Sequence, residues 1–231
     1  MNISEIEKSL EYQFKDKKLI IEALTHRSYS KESNNERLEF LGDAVMDLIV
    51  GEYLFFLFPK EEEGMLSKLR AALVNEESFT KLAKRLNLGK YLLLSAAEEN
   101  NQGRQKPSIL SSAFEAVIGA IYLDGGFEIS KKIALKLIKE EYPSISPQEL
   151  LKDYKTTLQE ITQAYFGVVP EYKLIRAVGP DHKKEFEIAV KIRDKEYAIA
   201  KGKSKKIAQQ EGAKLTIKKL KEELNLKDIN V

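Results

Sequence analysis

The spacing of apolar residues predicts helices over almost all of the first 140 residues. Apolar positions recur every three to four residues in segments bounded by capping residues, glycine or proline. Asp16 and Asn75 are the expected N-caps of two of these helices, and Gly125-Gly126 is an expected helix end. The helices are expected at about 17–25, 35–57, 65–73, 76–86, 108–123 and 129–141, after a capping box at Asn2 and Glu5.

The pattern changes after residues 142–147, where Pro143 and Pro147 mark the best candidate for a linker, although Pro147 could equally open the next helix. A helix is predicted at 150–166, and Ser204 can cap a last helix that continues to about residue 223. Between them, three runs with partial period-two alternation predict strands at 171–178, 185–192 and 196–200. The order of one helix, three strands and one helix is that of a compact α+β module.

The predicted fold is therefore an all-α domain over residues 1–146 and a small α+β domain over 147–231, with a core at about 153–223. The formal net charge is only +2, but its distribution is uneven. Residues 151–231 carry 18 lysines and arginines against 12 acids, and residues 1–150 carry 20 against 24. A basic module favours a polyanionic partner, and an acidic domain favours a site built from carboxylates. Charge alone is explained equally well by solvated surfaces.

Residue types exclude several classes of protein. The chain has no cysteine, which excludes disulfide scaffolds, thiolate zinc sites and cysteine nucleophiles. His26 and His182 are the only histidines, too few for a His-rich metal site, and His26 is expected to be hydrogen-bonded near helix packing. The first seven residues are polar and acidic, and apolar runs such as Tyr53–Phe58 are too short to span a bilayer. We expect a cytoplasmic protein with no membrane partner.

Four acids share one face of the helix predicted at 35–57. At roughly 100° per residue, about 80° of the helix circumference holds Glu36, Glu39, Asp43 and Asp47. The opposite side holds Leu38, Leu41, Val45, Leu48 and Ile49. Like charges at positions i and i+4 repel, so such a face either meets water and basic neighbours or binds a hard cation. Taken alone, this helix favours the solvated face.

A second helix changes that balance. Residues 108–120 are apolar nearly all round, and Glu115 is their only charge. A lone carboxylate in a buried helix must be paired, protonated or bound to metal. One explanation is a buried salt bridge to Arg37 or Arg70. A cation shared with the acidic face of the first helix explains both features together.

These residues resemble the signature of a known family. Residues 36–44, Glu-Arg-Leu-Glu-Phe-Leu-Gly-Asp-Ala, are similar to the signature of bacterial ribonuclease III, an endonuclease specific for double-stranded RNA. The likeness continues at residues 24–29, 63–71 and 114–116. The second module resembles a double-stranded RNA-binding domain, so the resemblance spans essentially the whole chain. A nine-residue match with three further blocks in order is a specific signal.

The resemblance implies a homodimeric enzyme that depends on Mg²⁺, with Mn²⁺ as a possible substitute and no organic cofactor. The enzyme would hydrolyse phosphodiester bonds in double-stranded RNA, such as structured rRNA and mRNA precursors, and leave 5′-phosphate ends and short 3′ overhangs. Metal-activated water would attack phosphorus in line. The resemblance implies that Glu39, Asp43 and Glu115 hold the metal. It makes Asp43 and Glu115 essential, Glu36 and Glu63 supporting acids, and Phe40 a residue of the dimer interface.

One position departs from the family pattern. Three residues before the acid that aligns with Glu115, the family has an aspartate that binds metal, and this chain has Ser112. A neutral hydroxyl can ligate Mg²⁺ or hold a bound water, but it removes one negative charge from the site. We therefore expect weaker Mg²⁺ binding than with aspartate. The alternative is a cleavage-impaired double-stranded RNA-binding protein of the same fold.

Lysines cluster at the start of the last predicted helix, where the helix dipole disfavours cations. Their position is explained if phosphate binds there, to backbone N–H groups and ammonium groups together. By resemblance, Gln159 and Gln163 would reach one minor groove, and the turn at 179–182 would enter the next with His182 at its tip. The resemblance places phosphate contacts at Lys203, Ser204, Lys205 and Lys206. Such a module spans ~16 base pairs.

Overall fold

The computed structural model describes residues 3–151, 153–180 and 184–224. The chain forms two compact units, residues 1–145 and residues 146–231. The first unit is helical, and the second combines helices with one antiparallel sheet. This architecture confirms the predicted fold class.

The described part of the first unit contains eight α-helices. They are α1 Ile3–Leu10, α2 Lys17–Ala23, α3 Glu36–Leu57, α4 Glu63–Leu73, α5 Glu76–Arg85, α6 Ala96–Asn100, α7 Pro107–Gly125 and α8 Phe127–Glu141. Two short 3-10 turns lie at Leu88–Lys90 and Gly103–Gln105. The side chain of Asp16 accepts from Lys18 N, and that of Asn75 accepts from Ser78 N, so both predicted N-caps are formed. Of the proposed capping box, Asn2 lies outside the described residues.

The described part of the second unit contains three helices and three strands. They are α9 Pro147–Leu151, α10 Tyr154–Phe166, β1 Glu171–Val178, β2 Glu185–Ile192, β3 Lys195–Gly202 and α11 Lys205–Glu223. The strands pair antiparallel in the order β1-β2-β3. The single helix predicted at 150–166 is divided, because Asp153 caps a new helix through its side chain. The core between sheet and helices consists of Leu158, Ile161, Val190, Ile192, Tyr197, Ala213, Ile217 and Leu220.

The central helix of the first unit is α7, whose apolar surface is covered on most sides. Ile109, Val117 and Ile121 are buried, and the Phe114 ring lies 5.4 Å from that of Phe79 between centroids. Among the described residues, this helix alone is long and apolar enough to cross a membrane by length and composition. Its most apolar window is 61% buried inside the unit. Burial in the core accounts for this composition.

The crossing of α3 and α7 is the closest contact of the unit and depends on two glycines. A Cβ added to Gly42 would lie 1.8 Å from the carbonyl oxygen of Glu115. A Cβ added to Gly119 would lie 2.3 Å from the carbonyl oxygen of Leu38. Real Cβ atoms do not approach backbone so closely. The two helix backbones are therefore in direct contact at these positions, which any side chain would prevent.

The buried side of α3 is narrower than its sequence suggests. Leu38, Val45 and Ile49 are buried as expected. Leu48 was expected on the same side, but it is 59% exposed. At about 100° per residue Leu48 lies within ~80° of Phe40 and Phe55, which are also exposed. These three residues form a second apolar stripe that the unit itself does not cover.

We predict that Gly42→Ala lowers the free energy of unfolding by about 2 kcal/mol. Overpacking against backbone that cannot move aside costs up to ~3 kcal/mol, and alanine recovers ~1 kcal/mol through its helix propensity. Urea unfolding of the full chain, followed by helical circular dichroism, measures the difference.

Gly51→Ala is the matched control, since Gly51 lies in the same helix and its added Cβ would meet nothing closer than 3.9 Å. Helix propensity should then dominate, and we expect this variant to be more stable than the native chain by up to ~1 kcal/mol. Equal stability of the two variants would show that the close crossing does not constrain α3.

Candidate active site

The glycine crossing brings the two predicted halves of the site together. Glu39 and Asp43 lie one turn apart on α3, on either side of Gly42, and Ser112 and Glu115 lie one turn apart on α7. Ser112 Oγ donates a hydrogen bond of 2.8 Å to Glu39 Oε1. The residue that departs from the family pattern therefore contacts a proposed metal ligand directly.

Glu115 is a partly buried carboxylate at this crossing. Burial, reinforced by the negative charges of Glu39 and Asp43, raises the pKa of Glu115 to about 8. Among the described residues Glu115 forms no ion pair, and Arg70 instead lies 3.6 Å from Asp47. The proposed salt bridge from Glu115 to Arg37 or Arg70 is therefore wrong. Of the three explanations for this carboxylate, protonation and a bound cation remain.

Asp43 lies between Glu39 and Asp47 on the acidic face of α3. Partial burial, followed by the nearby charge of Asp47, raises the pKa of Asp43 above its usual value. Asp47 is itself 3.6 Å from Arg70 on α4. The four-acid face is thus divided, because its far end is neutralised by arginine and its centre is not.

The two supporting acids lie away from the centre. Glu36 forms an exposed ion pair of 3.1 Å with Arg27. Glu63, at the start of α4, accepts a hydrogen bond of 2.8 Å from Ser67 Oγ. Within the described chain neither acid is hydrogen-bonded to Glu39, Asp43 or Glu115. The sequence analysis expects basic neighbours for the acidic face but does not identify Arg27 as the partner of Glu36.

The donor set at the crossing has the chemistry that Mg²⁺ requires. Three carboxylates and the Ser112 hydroxyl can supply hard oxygen ligands, and the partly buried Glu115 has no counter-ion among the described residues. As placed, no three acidic or histidine side chains of the described residues stand close enough to hold a metal ion. Mutual repulsion of like charges opposes such a grouping unless a cation offsets it. The residues therefore fit a divalent cation by ligand type, although their carboxylates as placed are not grouped around one.

The hydrogen bonds of His26 stabilise a loop. Ser28 N donates to His26 Nδ1 at 3.2 Å, and Ser28 Oγ lies 2.8 Å from the same nitrogen. Ser28 Oγ also accepts from Ser95 N at 3.1 Å. Burial lowers the pKa of His26. These contacts agree with the hydrogen-bonded role expected near helix packing.

The start of α11 presents the predicted lysine cluster. Ser204 is the N-cap, and its Oγ accepts from Ile207 N at 3.2 Å. Lys203, Lys205 and Lys206 are exposed, and none forms an ion pair with an acid of the described residues. The ammonium groups and free N–H groups therefore remain available at the positive end of a 19-residue helix.

The other predicted contacts lie on α10 and in the turn after β1. Gln159 and Gln163 are exposed and four residues apart, so they share one face of α10. Gly179, at the start of the turn, has a φ of 103°. His182 lies outside the described residues. The hydroxyl of Ser204 is used within the helix cap, which is a structural role that the sequence already indicated.

Family models match both units. A ribonuclease-III-like model matches residues 16–142, more than half of the chain, and a double-stranded RNA binding motif matches residues 154–220. Both matches fall within the predicted domains.

Full-length relatives give the same result. A ribonuclease 3 of a Sulfurovum species is 63% identical over 94% of this chain and 98% of its own length. A ribonuclease 3 of Campylobacter jejuni is 61% identical over 95% of this chain and 98% of its own length. The solved nuclease domain of C. jejuni ribonuclease III superimposes with a TM-score of 0.61 at 65% identity, over 62% of this chain and all of that domain. The chain therefore belongs to the ribonuclease III family of double-stranded RNA endoribonucleases.

Proposed function

We propose that this enzyme uses Mg²⁺, held by Glu39, Asp43 and Glu115, to hydrolyse phosphodiester bonds of double-stranded RNA. Mn²⁺ is a chemically suitable substitute, and no organic cofactor is involved. The proposed substrates are structured rRNA and mRNA precursors in the cytoplasm, and the proposed products carry 5′-phosphate ends and short 3′ overhangs. Ser112 completes the set of oxygen ligands, directly or through water.

The observation that carries this proposal is the unpaired carboxylate cluster at the helix crossing. Packing forces Glu39, Asp43 and Glu115 into one region, and no described lysine or arginine pairs with Glu115. A folded protein tolerates such a cluster when a cation neutralises it. By contrast Asp47 and Glu36, on the same helix, each have an arginine neighbour. Among the described residues, arginines thus neutralise the acids at the two ends of the acidic face, Glu36 and Asp47, but not Glu115 at the crossing.

The chain's own residues perform three tasks in this scheme. Glu39, Asp43 and Glu115 bind and orient the metal through carboxylate oxygens. Ser112 fixes the orientation of Glu39 through its hydrogen bond. Glu36, paired with Arg27, and Glu63 lie away from the cluster and are proposed as supporting acids. When bound, Mg²⁺ supplies an activated water at neutral pH and stabilises the leaving oxygen.

We also propose that two copies associate through the apolar stripe of α3. Phe40 is 81% exposed, and Leu48 and Phe55 continue the stripe along the helix. Exposed apolar side chains on one face are typical of an interaction surface. The solved C. jejuni nuclease domain has a region involved in dimer formation. A homodimer would bury Phe40 at the interface.

Ser112 keeps the alternative function open to test. Its hydroxyl donates to Glu39 where an additional carboxylate would otherwise contribute charge. One negative charge fewer weakens the attraction for Mg²⁺. If that loss were large, the chain would bind double-stranded RNA and cut it poorly. We favour the enzyme, since three carboxylates remain.

The proposed RNA-binding face consists of α10 and the start of α11. Gln159 and Gln163 can donate to and accept from 2′-hydroxyl groups. Lys203, Lys205 and Lys206 have no described ion pair and can neutralise phosphates. His182 belongs to the proposed face by resemblance.

Cleavage of long double-stranded RNA by the full chain is the first test. We expect short fragments with Mg²⁺ and none with chelator. Asp43→Asn should slow cleavage at least about a hundredfold, since loss of a metal ligand removes several kcal/mol of transition-state stabilisation, while RNA remains retarded on a native gel. Asp47→Asn, next on the same face but beside Arg70, should cleave within about threefold of the native chain.

Either of two results would contradict the metal site: cleavage that continues in chelator, or Asp43→Asn that cuts at the native rate. RNA that the native chain retards but leaves intact in Mg²⁺ would support the cleavage-impaired alternative.

Ser112→Asp should lower the Mg²⁺ concentration at half-maximal cleavage by about tenfold. Substitutions next to metal ligands commonly change metal affinity by about 10- to 100-fold. The added carboxylate strengthens the attraction for the cation. Ser112→Ala, which removes the hydroxyl without adding charge, serves as the control and should not lower this midpoint. Coinciding midpoints of the native chain and Ser112→Asp would show that the missing charge does not matter.

The double substitution Lys205→Ala and Lys206→Ala should reduce the slope of log affinity against log salt by about two, roughly one unit for each phosphate that is no longer neutralised. Binding is measured in chelator, which prevents cleavage. Lys218→Ala with Lys221→Ala removes the same charge from exposed positions ~21 Å further along α11 and should leave most of the slope intact. An unchanged slope in the first variant would place these lysines outside the interface.

A further inference from the structure

The starts of α10 and α11 are joined by the side chain of one residue. Gln210 Nε2 donates to Asp153 Oδ1 at 3.3 Å. Gln210 Oε1 accepts from the backbone N–H of Lys155 at 3.0 Å. The amide nitrogen of Gln210 thus bonds to the capping side chain of α10, and its oxygen bonds to the main chain of α10. This joins segments that lie 57 residues apart.

Asp153 is the point at which this link meets the capping of α10. Its carboxylate accepts from Thr156 Oγ1 at 2.9 Å and from Thr156 N at 3.4 Å. Burial acts to raise the pKa of Asp153, but the hydrogen bonds from Thr156 and Gln210 outweigh it, and the pKa lies below its usual value. The capping carboxylate is therefore ionised and held on two sides.

A second contact reinforces the same junction. Lys155 Nζ donates to Gln209 Oε1 at 2.8 Å and lies 4.8 Å from the centroid of the Tyr172 ring. The Tyr172 hydroxyl is buried and has no hydrogen-bond partner among the described residues. Lys155 thus lies between the start of α11 and the first strand, with its charge partly covered by an aromatic face.

These contacts lie one helical turn from both proposed sets of RNA contacts. Gln159 follows Lys155 by four residues on α10, and Lys206 precedes Gln210 by four residues on α11. Residues four apart on a helix are neighbours. A movement at the junction would therefore change the spacing between the minor-groove contacts and the phosphate contacts directly.

We infer that Gln210 is a positioning residue for double-stranded RNA, which fixes the start of α10 against the start of α11 so that both match one duplex. The inference rests on the proposed RNA-binding face. A duplex is stiff and its groove spacing is fixed, so a protein whose two contact elements are already aligned loses less entropy on binding. Gln210 itself does not contact RNA in this scheme.

Duplex length separates alignment from simple stability. We expect Gln210→Ala to raise the Kd of the full chain about tenfold for a duplex of ~20 base pairs, long enough for all contacts, which corresponds to ~1.4 kcal/mol. For a duplex of ~8 base pairs, too short to engage both elements, the Kd should change by less than about threefold. Fluorescence anisotropy in chelator measures both. The salt slope should stay native, because the lysines remain.

Two further variants sharpen the result. Gln210→Glu keeps an acceptor for Lys155 N–H but places a carboxylate against Asp153, so we expect at least the same loss on the long duplex. Gln209→Ala removes the second contact of the junction, the one to the Lys155 ammonium group, and leaves both bonds of Gln210 in place, so its Kd on the long duplex should rise less than that of Gln210→Ala.

Two results would overturn the inference: Gln210→Ala with native Kd on the long duplex, or an equal rise on both duplexes together with a lower melting temperature, which indicates a purely structural role. The Lys205→Ala, Lys206→Ala variant is measured in parallel. If it weakens binding and Gln210→Ala does not, the inference alone fails. If it keeps the native affinity and salt slope, the proposed RNA-binding face is wrong as well.

Discussion

The backbone contact between α3 and α7 determines the geometry of the nuclease unit. Because Gly42 and Gly119 have no side chains, carbonyl groups of one helix pack directly against the other. This close crossing places Glu39 and Asp43 next to Ser112 and Glu115. Helix propensity argues against glycine in the interior of long helices, so their presence trades local stability for this close crossing. Helix packing brings these acids together, although their like charges repel one another.

That packing acts against electrostatics. Three carboxylates near one another disfavour ionisation, and the partly buried Glu115 has a pKa raised to about 8. Arginines relieve the same repulsion at the ends of the acidic face, at Glu36 and Asp47. The hydrogen bond from Ser112 to Glu39 relieves a little of it at the centre, since a hydroxyl donor stabilises a carboxylate. A serine at this position thus lowers the repulsion among the carboxylates, and in the proposed metal site it would attract the cation less than an aspartate does.

Local features of this fold could be predicted from sequence, and distant ones could not. Asp16, Asn75 and Ser204 were identified as caps because a cap involves only the next three residues. The break before α10 was missed, since an apolar stripe continued across it. The short α6 has no apolar repeat to reveal it. The exposure of Leu48 and the pairing of Arg70 with Asp47 depend on which helices become neighbours, and periodicity along one helix carries no such information.

The two units position charged groups from distant segments by different means. In the nuclease unit the constraint is steric, because backbone meets backbone at Gly42 and Gly119 and cannot slide without a clash. In the second unit the starts of α10 and α11 are joined by hydrogen bonds of Gln210, which are directional but individually weak. A catalytic cluster tolerates little misplacement, whereas a surface that reads the shape of a duplex tolerates more. The rigid contact therefore lies at the proposed catalytic cluster, and the softer hydrogen bonds lie at the proposed RNA-binding face.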